Sequence, residues 1–338
     1  MSITPKENFE LIFQHKMPEY IPHLGYHAYG IRDYIVERPI MTTGYDAWGC
    51  HWISCKDSLN ITHPDTSDVK FEDVCDWKEN THIPDLDQID FSSMVEEAKA
   101  FTDRENKMIQ YVSLNGIFER SHILMGFENA LCSAMEDPEI YGEMLEAFAD
   151  HKIRLFQKVY DICQPDILVY HDDLGTQMSQ FMPTEFYVKY IFPQYKRIVE
   201  AARKTGYKHV VHHSCGRIEE LIPYWLECGF DGWDSVMPCN NLPEIKAKYG
   251  DRMIFMPGMD TQNVLGRPGS SRRQIEEMVI RWMEMLAGDG TGLIIDSTVA
   301  YSLNPANEKV ALEFILKHGK PFMDAKKAGI PYEPELEA

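Results

Sequence analysis

Apolar positions fall into two regimes along the chain. Up to about residue 105, aromatic, His, Pro and Asp residues mix with little sustained period. This stretch predicts a short helix from Lys6 to His15, a strand from Ile21 to His27, and long loops around Trp48, Trp52 and Trp77. From Met108 onward, strand-length apolar runs recur at Ile109–Leu114, Ile167–Tyr170, His209–His212, Phe230–Val236, Met253–Met256 and Gly292–Ile295. Each is followed by a polar cluster and then a helical pattern, as in repeated strand–helix units over a parallel sheet.

The helices carry their own punctuation. Ile140, Met144, Leu145, Phe148, Leu155, Phe156, Val159 and Tyr160 form one apolar stripe at helical spacing. A second helix runs from Ile218 to Cys228 and stops at Gly229. Ser271 and Gln274 make a capping box for a third, which continues through Met283 and Leu286 to Gly288. The pattern predicts an α/β fold, a single (β/α)8 TIM-type barrel over residues 1–338 with an irregular N-terminal segment to about residue 105. A doubly wound sheet would want a Gly-rich phosphate loop after its first strand, and the sequence has none.

Composition narrows the class. An apolar content of 44% with 25% charged residues excludes a disordered chain. A formal net charge of −20 argues against a nucleic-acid surface, which needs a basic footprint. No signal peptide and no run approaching a membrane span is seen, so a cytoplasmic location is expected. The eight cysteines read there as reduced thiols, mostly packing, with one or two free for catalysis or metal.

Barrel enzymes place reactive groups at the C-terminal ends of strands. The residues in such places are Asn115 and Glu119; His171, Asp172, Asp173, Thr176 and Gln177; His212, His213 and Cys215; Asp231 and Asp234; Asp260 and Gln262; and Asp296, Ser297 and Tyr301. His213 and Cys215 are two apart on an extended segment and share a face, so both can reach one point. An imidazole nitrogen and a thiolate suit zinc; a buried Cys beside a backbone-bonded His is the structural alternative. His212 points the other way and reads as structural.

Of Asp172 and Asp173, alternation sends one inward, to complete a metal shell, orient an imidazole or act as a base; the other caps a turn. Asp296 and Asp260 have the same two readings, site residue or turn-former. Asp172, Asp173 and Asp260 are taken as the catalytic candidates, Asn115, Gln177 and Tyr301 as substrate contacts, and His213, Cys215 and Asp296 as metal ligands. Cys50-His51 with Cys55 is a second metal-type cluster, but its spacing matches no common zinc knuckle and the flanking tryptophans suggest a packed loop.

The segments Asp173-Leu-Gly-Thr-Gln177, Met182-Pro-Thr-Glu-Phe186, Phe192-Pro193 and His213-Ser-Cys-Gly-Arg-Ile218 resemble the uroporphyrinogen decarboxylase superfamily. Pro257-Gly-Met-Asp260 is similar to that family's Gly-Gly-Ile-Asp strand end, with proline for the first glycine. The opening Thr4-Pro-Lys-Glu-Asn-Phe9 also resembles the family's start. True decarboxylases of this kind grip substrate carboxylates with an Arg-Gln-Ala-Gly-Arg segment. Here the matching region, His23-Leu-Gly-Tyr-His27, has no arginine, and their Phe-Ser-Asp segment survives only as Asp90-Phe-Ser-Ser-Met94. A substrate with many carboxylates needs cations, because unpaired buried anions are costly.

The resemblance is nearer to the cobalamin-dependent methyltransferases of the superfamily, which hold zinc with a His-x-Cys-Gly motif. It implies zinc on His213 and Cys215. The family's third ligand, a cysteine ahead of the position of Pro305, is missing; Asp296-Ser297-Thr298 stands there instead. The function implied is methyl transfer between a small donor and the cobalamin of a separate corrinoid protein. Oxygen-bound methyl, as in O-demethylation of a methoxylated aromatic, is preferred over a thiol acceptor. A metal-free decarboxylase of a smaller acid and a non-catalytic binding barrel are the alternatives. Self-association into a homodimer is left open, and no nucleic-acid or membrane partner is expected.

Overall fold

The computed structural model describes residues 3–39, 41–55, 62–296 and 304–337. Its strands, in chain order, are β1 (Ala28–Arg32), β2 (Gly44–Tyr45), β3 (His51–Ser54), β4 (Thr62–Pro64), β5 (Met108–Ser113), β6 (Ile167–His171), β7 (His209–His213), β8 (Gly232–Val236) and β9 (Ile254–Pro257). The chain forms two compact α/β units. The first contains Met1–Gly30, Asp103–Ile109 and Asp231–Ala338; the second contains Ile31–Thr102 and Gln110–Phe230. Among the described residues, no helix is long and apolar enough to cross a membrane.

In the first unit β8 and β9 pair in parallel, with a register shift between Asp234 and Val236. The last expected strand, Gly292–Ile295, makes only isolated parallel bridges, Phe255 to Leu293 and His23 to Ile295. The expected opening helix is found at Pro5–Phe13, closed by a capping box between Thr4 and Glu7. The strand expected at Ile21–His27 is not one: Leu24–His27 is a single helical turn, and extended chain begins at Ala28. The signal failed because Leu24-Gly-Tyr-His27 has no period-two alternation to oppose a turn. Ser271 and Gln274 cap the helix Arg272–Ala287 reciprocally, with Gln274 N–H donating to Ser271 Oγ at 3.2 Å and Ser271 N–H to Gln274 Oε1 at 2.8 Å.

In the second unit β5, β6 and β7 are parallel and in register, with Ser113 opposite Tyr170 and His171 opposite His213. Helices Ile117–Met125, Phe127–Glu136, Pro138–Cys163 and Phe192–Thr205 accompany them. Strand residues such as Ile167, Leu168, Val210 and Val211 are fully buried, which is the continuous apolar signature of a covered parallel sheet. The last of these helices is preceded by one wide turn, Tyr187–Ile191, of the five-residue-repeat kind. β2, β3 and β4 form a small antiparallel sheet.

A charged cluster lies in this core. Arg120 donates to Glu37 Oε2 at 2.6 Å and to Asp46 Oδ2 at 2.7 Å, and Lys152 reaches Glu37 Oε1 at 2.6 Å. Trp48 covers the guanidinium at 4.8 Å, and Trp52 Nε1 and Cys50 N–H also donate to Asp46. Buried charges persist only when paired this fully.

Candidate functional site

The site grows from the register of β6 and β7. Each ends on a histidine, and each histidine is followed by the same alternation: His171-Asp172-Asp173 on one strand, His213-Ser214-Cys215 on the other. The backbone ladder continues one residue further, with Asp172 N–H donating to His213 O at 3.0 Å. The middle residues of the two triplets, Asp172 and Ser214, turn into the protein and are fully buried. The outer residues, His171, Asp173, His213 and Cys215, are only partly covered.

Their geometry is close. His213 Nε2 lies 3.8 Å from Asp173 Oδ1 and 3.8 Å from Cys215 Sγ. The candidate donor atoms of His171, Asp173 and His213 all fall within 4.8 Å of one another. The two imidazoles stack, with centroids 4.0 Å apart. Cys215 N–H donates to Asp173 Oδ1 at 2.7 Å, tying the second strand's loop to the first. Gly216 makes that loop fit: its φ is +96°, and a Cβ there would stand 2.4 Å from the carbonyl of Gly175.

Behind His171 stands Glu119, whose Oε2 meets His171 Nδ1 at 2.7 Å. Burial favours the neutral acid for Glu119, but the His171 imidazolium outweighs it and holds the carboxyl down at about 2. Burial likewise disfavours the His171 cation, and the Glu119 charge overrides it, so this imidazole titrates above its ordinary value. Glu119 begins the Ile117–Met125 helix, and Asp172 caps that helix. Asp172 accepts from the N–H of Phe118 at 3.1 Å, the N–H of Glu119 at 2.8 Å and the hydroxyl of Tyr195 at 2.8 Å. Burial and the Glu119 charge raise the Asp172 carboxyl to about 8, against three donors that favour its ionised form. Gly116 is needed at this junction, because a Cβ there would overlap the Asp172 carboxylate at 2.2 Å.

The structure therefore brings together His213, Cys215 and Asp173 and places Asp172 one layer behind them. Asn115 is buried in a left-handed turn at φ +51°, and its amide donates to the Glu37 carbonyl at 2.7 Å. Gln177 is exposed in a short loop closed by Phe181 N–H on Leu174 O. Asp260 belongs to the first unit, where it accepts from Asn263 N–H at 2.9 Å and borders a cavity of about 440 Å³ with Met278, Arg281 and Trp282. Asp296, half-buried, is also in the first unit. Ser297 and Tyr301 lie outside the described residues, and of Gln262 only the backbone is described.

His212 is structural, as expected. It is fully buried against Phe230 and Trp225, its Nδ1–H donates to Tyr170 O at 3.1 Å, and burial drives its imidazole down to about 3. The Cys50 cluster divides. Cys50 Sγ faces Arg120 at 3.8 Å, whereas His51 turns outward to Asp65 at 2.9 Å. His171 and Glu119 stood among the strand-end residues without a role, although the repeated His-x-Asp and His-x-Cys spacing on successive strands marks His171.

The family model described as uroporphyrinogen decarboxylase (URO-D) matches residues 62–311. The chain belongs to the uroporphyrinogen decarboxylase family. No curated protein sequence matches this family member. Among solved structures, a methyltransferase from Methanosarcina mazei superposes with a TM-score of 0.72 at 13% identity, covering 94% of this chain and 99% of that one. A B12-independent methionine synthase from Shewanella sp. W3-18-1, in complex with selenomethionine, gives a TM-score of 0.50 at 11% identity over 83% of this chain and 76% of that one. At such identities the likeness is one of fold, so this uroporphyrinogen decarboxylase family chain shares its architecture with methyltransferases.

Proposed function

We propose that the protein is a corrinoid-dependent methyltransferase in which zinc, held by His213 and Cys215, activates a small methyl donor. The observation that carries this reading is the pair His213 Nε2 and Cys215 Sγ, 3.8 Å apart with Asp173 beside them. Tetrahedral zinc with bonds near 2.0 Å to nitrogen and 2.3 Å to sulfur needs such donors roughly 3.5 Å apart. The donor set suits zinc, being mixed nitrogen, sulfur and oxygen. Bound there, zinc would supply Lewis acidity to the heteroatom that loses or gains the methyl group.

This chain's own residues do the rest. His213 and Cys215 would hold the ion beside Asp173, whose carboxylate is locked by Cys215 N–H. Asp172 acts through the backbone of Glu119 rather than on substrate. Gln177, on its exposed loop, is offered for substrate contact, with Asp260, Asp296 and Tyr301 as further site candidates. The methyl acceptor or donor on the other side is the cobalt of a separate corrinoid protein. A methoxylated aromatic is the preferred donor class, and the (β/α)8 barrel expected from the sequence, supported by the family membership, is part of this reading.

The test uses protein purified without chelator, added cob(I)alamin, and a panel of methoxylated aromatics, methylamines and methylthiols. Cobalamin methylation by one class, reduced at least about 100-fold in Cys215→Ser, is expected. Failure of every donor, together with carbon dioxide release from a small acid, would replace the proposal with a metal-free carboxy-lyase.

A further inference from the structure

We infer that the metal shell is completed from within the second unit, by His171 and Asp173, with Glu119 as the carboxylate that orients His171. The inference rests on the reading of His213 and Cys215 as metal ligands and supplies the rest of their shell.

Four potential donors come from two strand ends in register: His171 and Asp173 after β6, His213 and Cys215 after β7. Two imidazole nitrogens, one carboxylate oxygen and one thiolate make a four-coordinate resting set whose two anionic donors balance the ion's charge, and the substrate heteroatom would enter as a fifth ligand or in place of the carboxylate. The donor atoms of His171, Asp173 and His213 agree within 4.8 Å, and Cys215 Sγ, outside that group, stands 3.8 Å from His213 Nε2 and would swing in on binding. No cysteine follows Cys239 in the sequence, so a second thiolate from the C-terminal third is not available.

Glu119 explains which nitrogen of His171 does the binding. Its Oε2 takes Nδ1 at 2.7 Å, which leaves Nε2 for the ion. Metal-bound histidines characteristically give their other ring nitrogen to a carboxylate, which fixes the ring and raises its basicity. That carboxylate is itself held. Gly116 N–H donates to Glu119 Oε2 at 3.3 Å, and the Glu119 backbone is pinned by Asp172, which Tyr195 pins in turn. Asp172 cannot be the ligand, because both of its oxygens are committed to the Ile117–Met125 helix and one of them also to Tyr195.

Glu119 is therefore a positioning residue, and His171 and Asp173 are ligands. The test measures zinc content and affinity by chelator competition on full-length wild type, Cys215→Ser, His171→Ala, Asp173→Asn and Glu119→Gln, with thermal melts alongside. Absorption of the cobalt(II)-substituted proteins gives a readout independent of turnover. About one zinc per chain is expected in wild type. His171→Ala and Asp173→Asn should each weaken affinity by at least about 100-fold, and Glu119→Gln by about 10–100-fold while the protein still melts cooperatively. Cobalt(II) should show four-coordinate visible bands with a thiolate transition, altered in Glu119→Gln and losing the thiolate transition in Cys215→Ser. Wild-type affinity in His171→Ala and Glu119→Gln, with loss in Cys215→Ser, would overturn this shell and leave the function intact. No zinc in wild type would overturn both.

Discussion

His171 and His213 are register partners on neighbouring parallel strands, and their imidazoles stack with planes 13° apart. An ion bound by both must lie near the plane of each ring, so two nearly parallel rings cannot share it as they stand. Metal loading is expected to open the stack. Side-chain NMR of histidine-labelled protein should show both ring resonances shifting together on zinc addition, with His212 unmoved. Saturable zinc binding without a shift at His171 would contradict the expectation.

Gly216→Ala should damage the site by geometry alone. The new Cβ would meet the Gly175 carbonyl at 2.4 Å in a backbone already at φ +96°. Gly229 is the control, with a similar φ of +92° but only Val199 Cγ1 at 3.6 Å. Urea denaturation should give G216A a cost at least about 2 kcal/mol above that of G229A.

The buried charge cluster predicts a large penalty for losing its cation. Arg120→Met strips the fully enclosed Asp46 of its cation and leaves Glu37 to Lys152 alone. A loss of about 3–5 kcal/mol is expected from chemical denaturation. Joint replacement of Arg120, Glu37, Asp46 and Lys152 by apolar residues should recover part of it.

Acid should unfold the protein through its buried histidines. Burial holds His151 well below its ordinary value and His212 at about 3. Each is neutral in the fold but protonates near 6.5 when unfolded. Below pH 6.5 the unfolded chain thus binds more protons, and stability falls as pH drops, by up to about 1.4 kcal/mol per pH unit for each group. His151 makes no hydrogen bond through either ring nitrogen and stands edge-on to Trp48 at 4.7 Å. His151→Phe should therefore flatten the slope between pH 6.5 and 5 without losing a bond. An unchanged slope would show that His151 is not protonated on unfolding.

Much of the second unit was legible in sequence because its parallel strands are short, have apolar centres, and in two cases run into polar triplets. Ile167–Tyr170 and His209–His212 came out one residue short, since the terminal histidines look polar although they close the strands. Met253–Met256 is displaced by one residue, to Ile254–Pro257. Alternation correctly separated His212 from His213 and Asp172 from Asp173. It could not assign Asp172 to a helix cap, because that partnership joins residues more than fifty apart in the chain. Nor could it show that Asn115 spends its amide on Glu37, a contact of the same long-range kind. His171 was visible but unranked, because its meaning comes from the strand beside it.

The wide turn at Tyr187–Ile191 holds one residue more than an ordinary helical turn needs. It acts as a phase shifter between two anchors, Phe186 packed on Tyr141 at 5.8 Å and Tyr195 bonded to Asp172. Deleting a single residue there would leave a regular helix but rotate one anchor about 100° against the other. The length of this segment is consequently under constraint even where its side chains are not. Lineages that lose that residue would be expected to abandon the Tyr195–Asp172 bond with it.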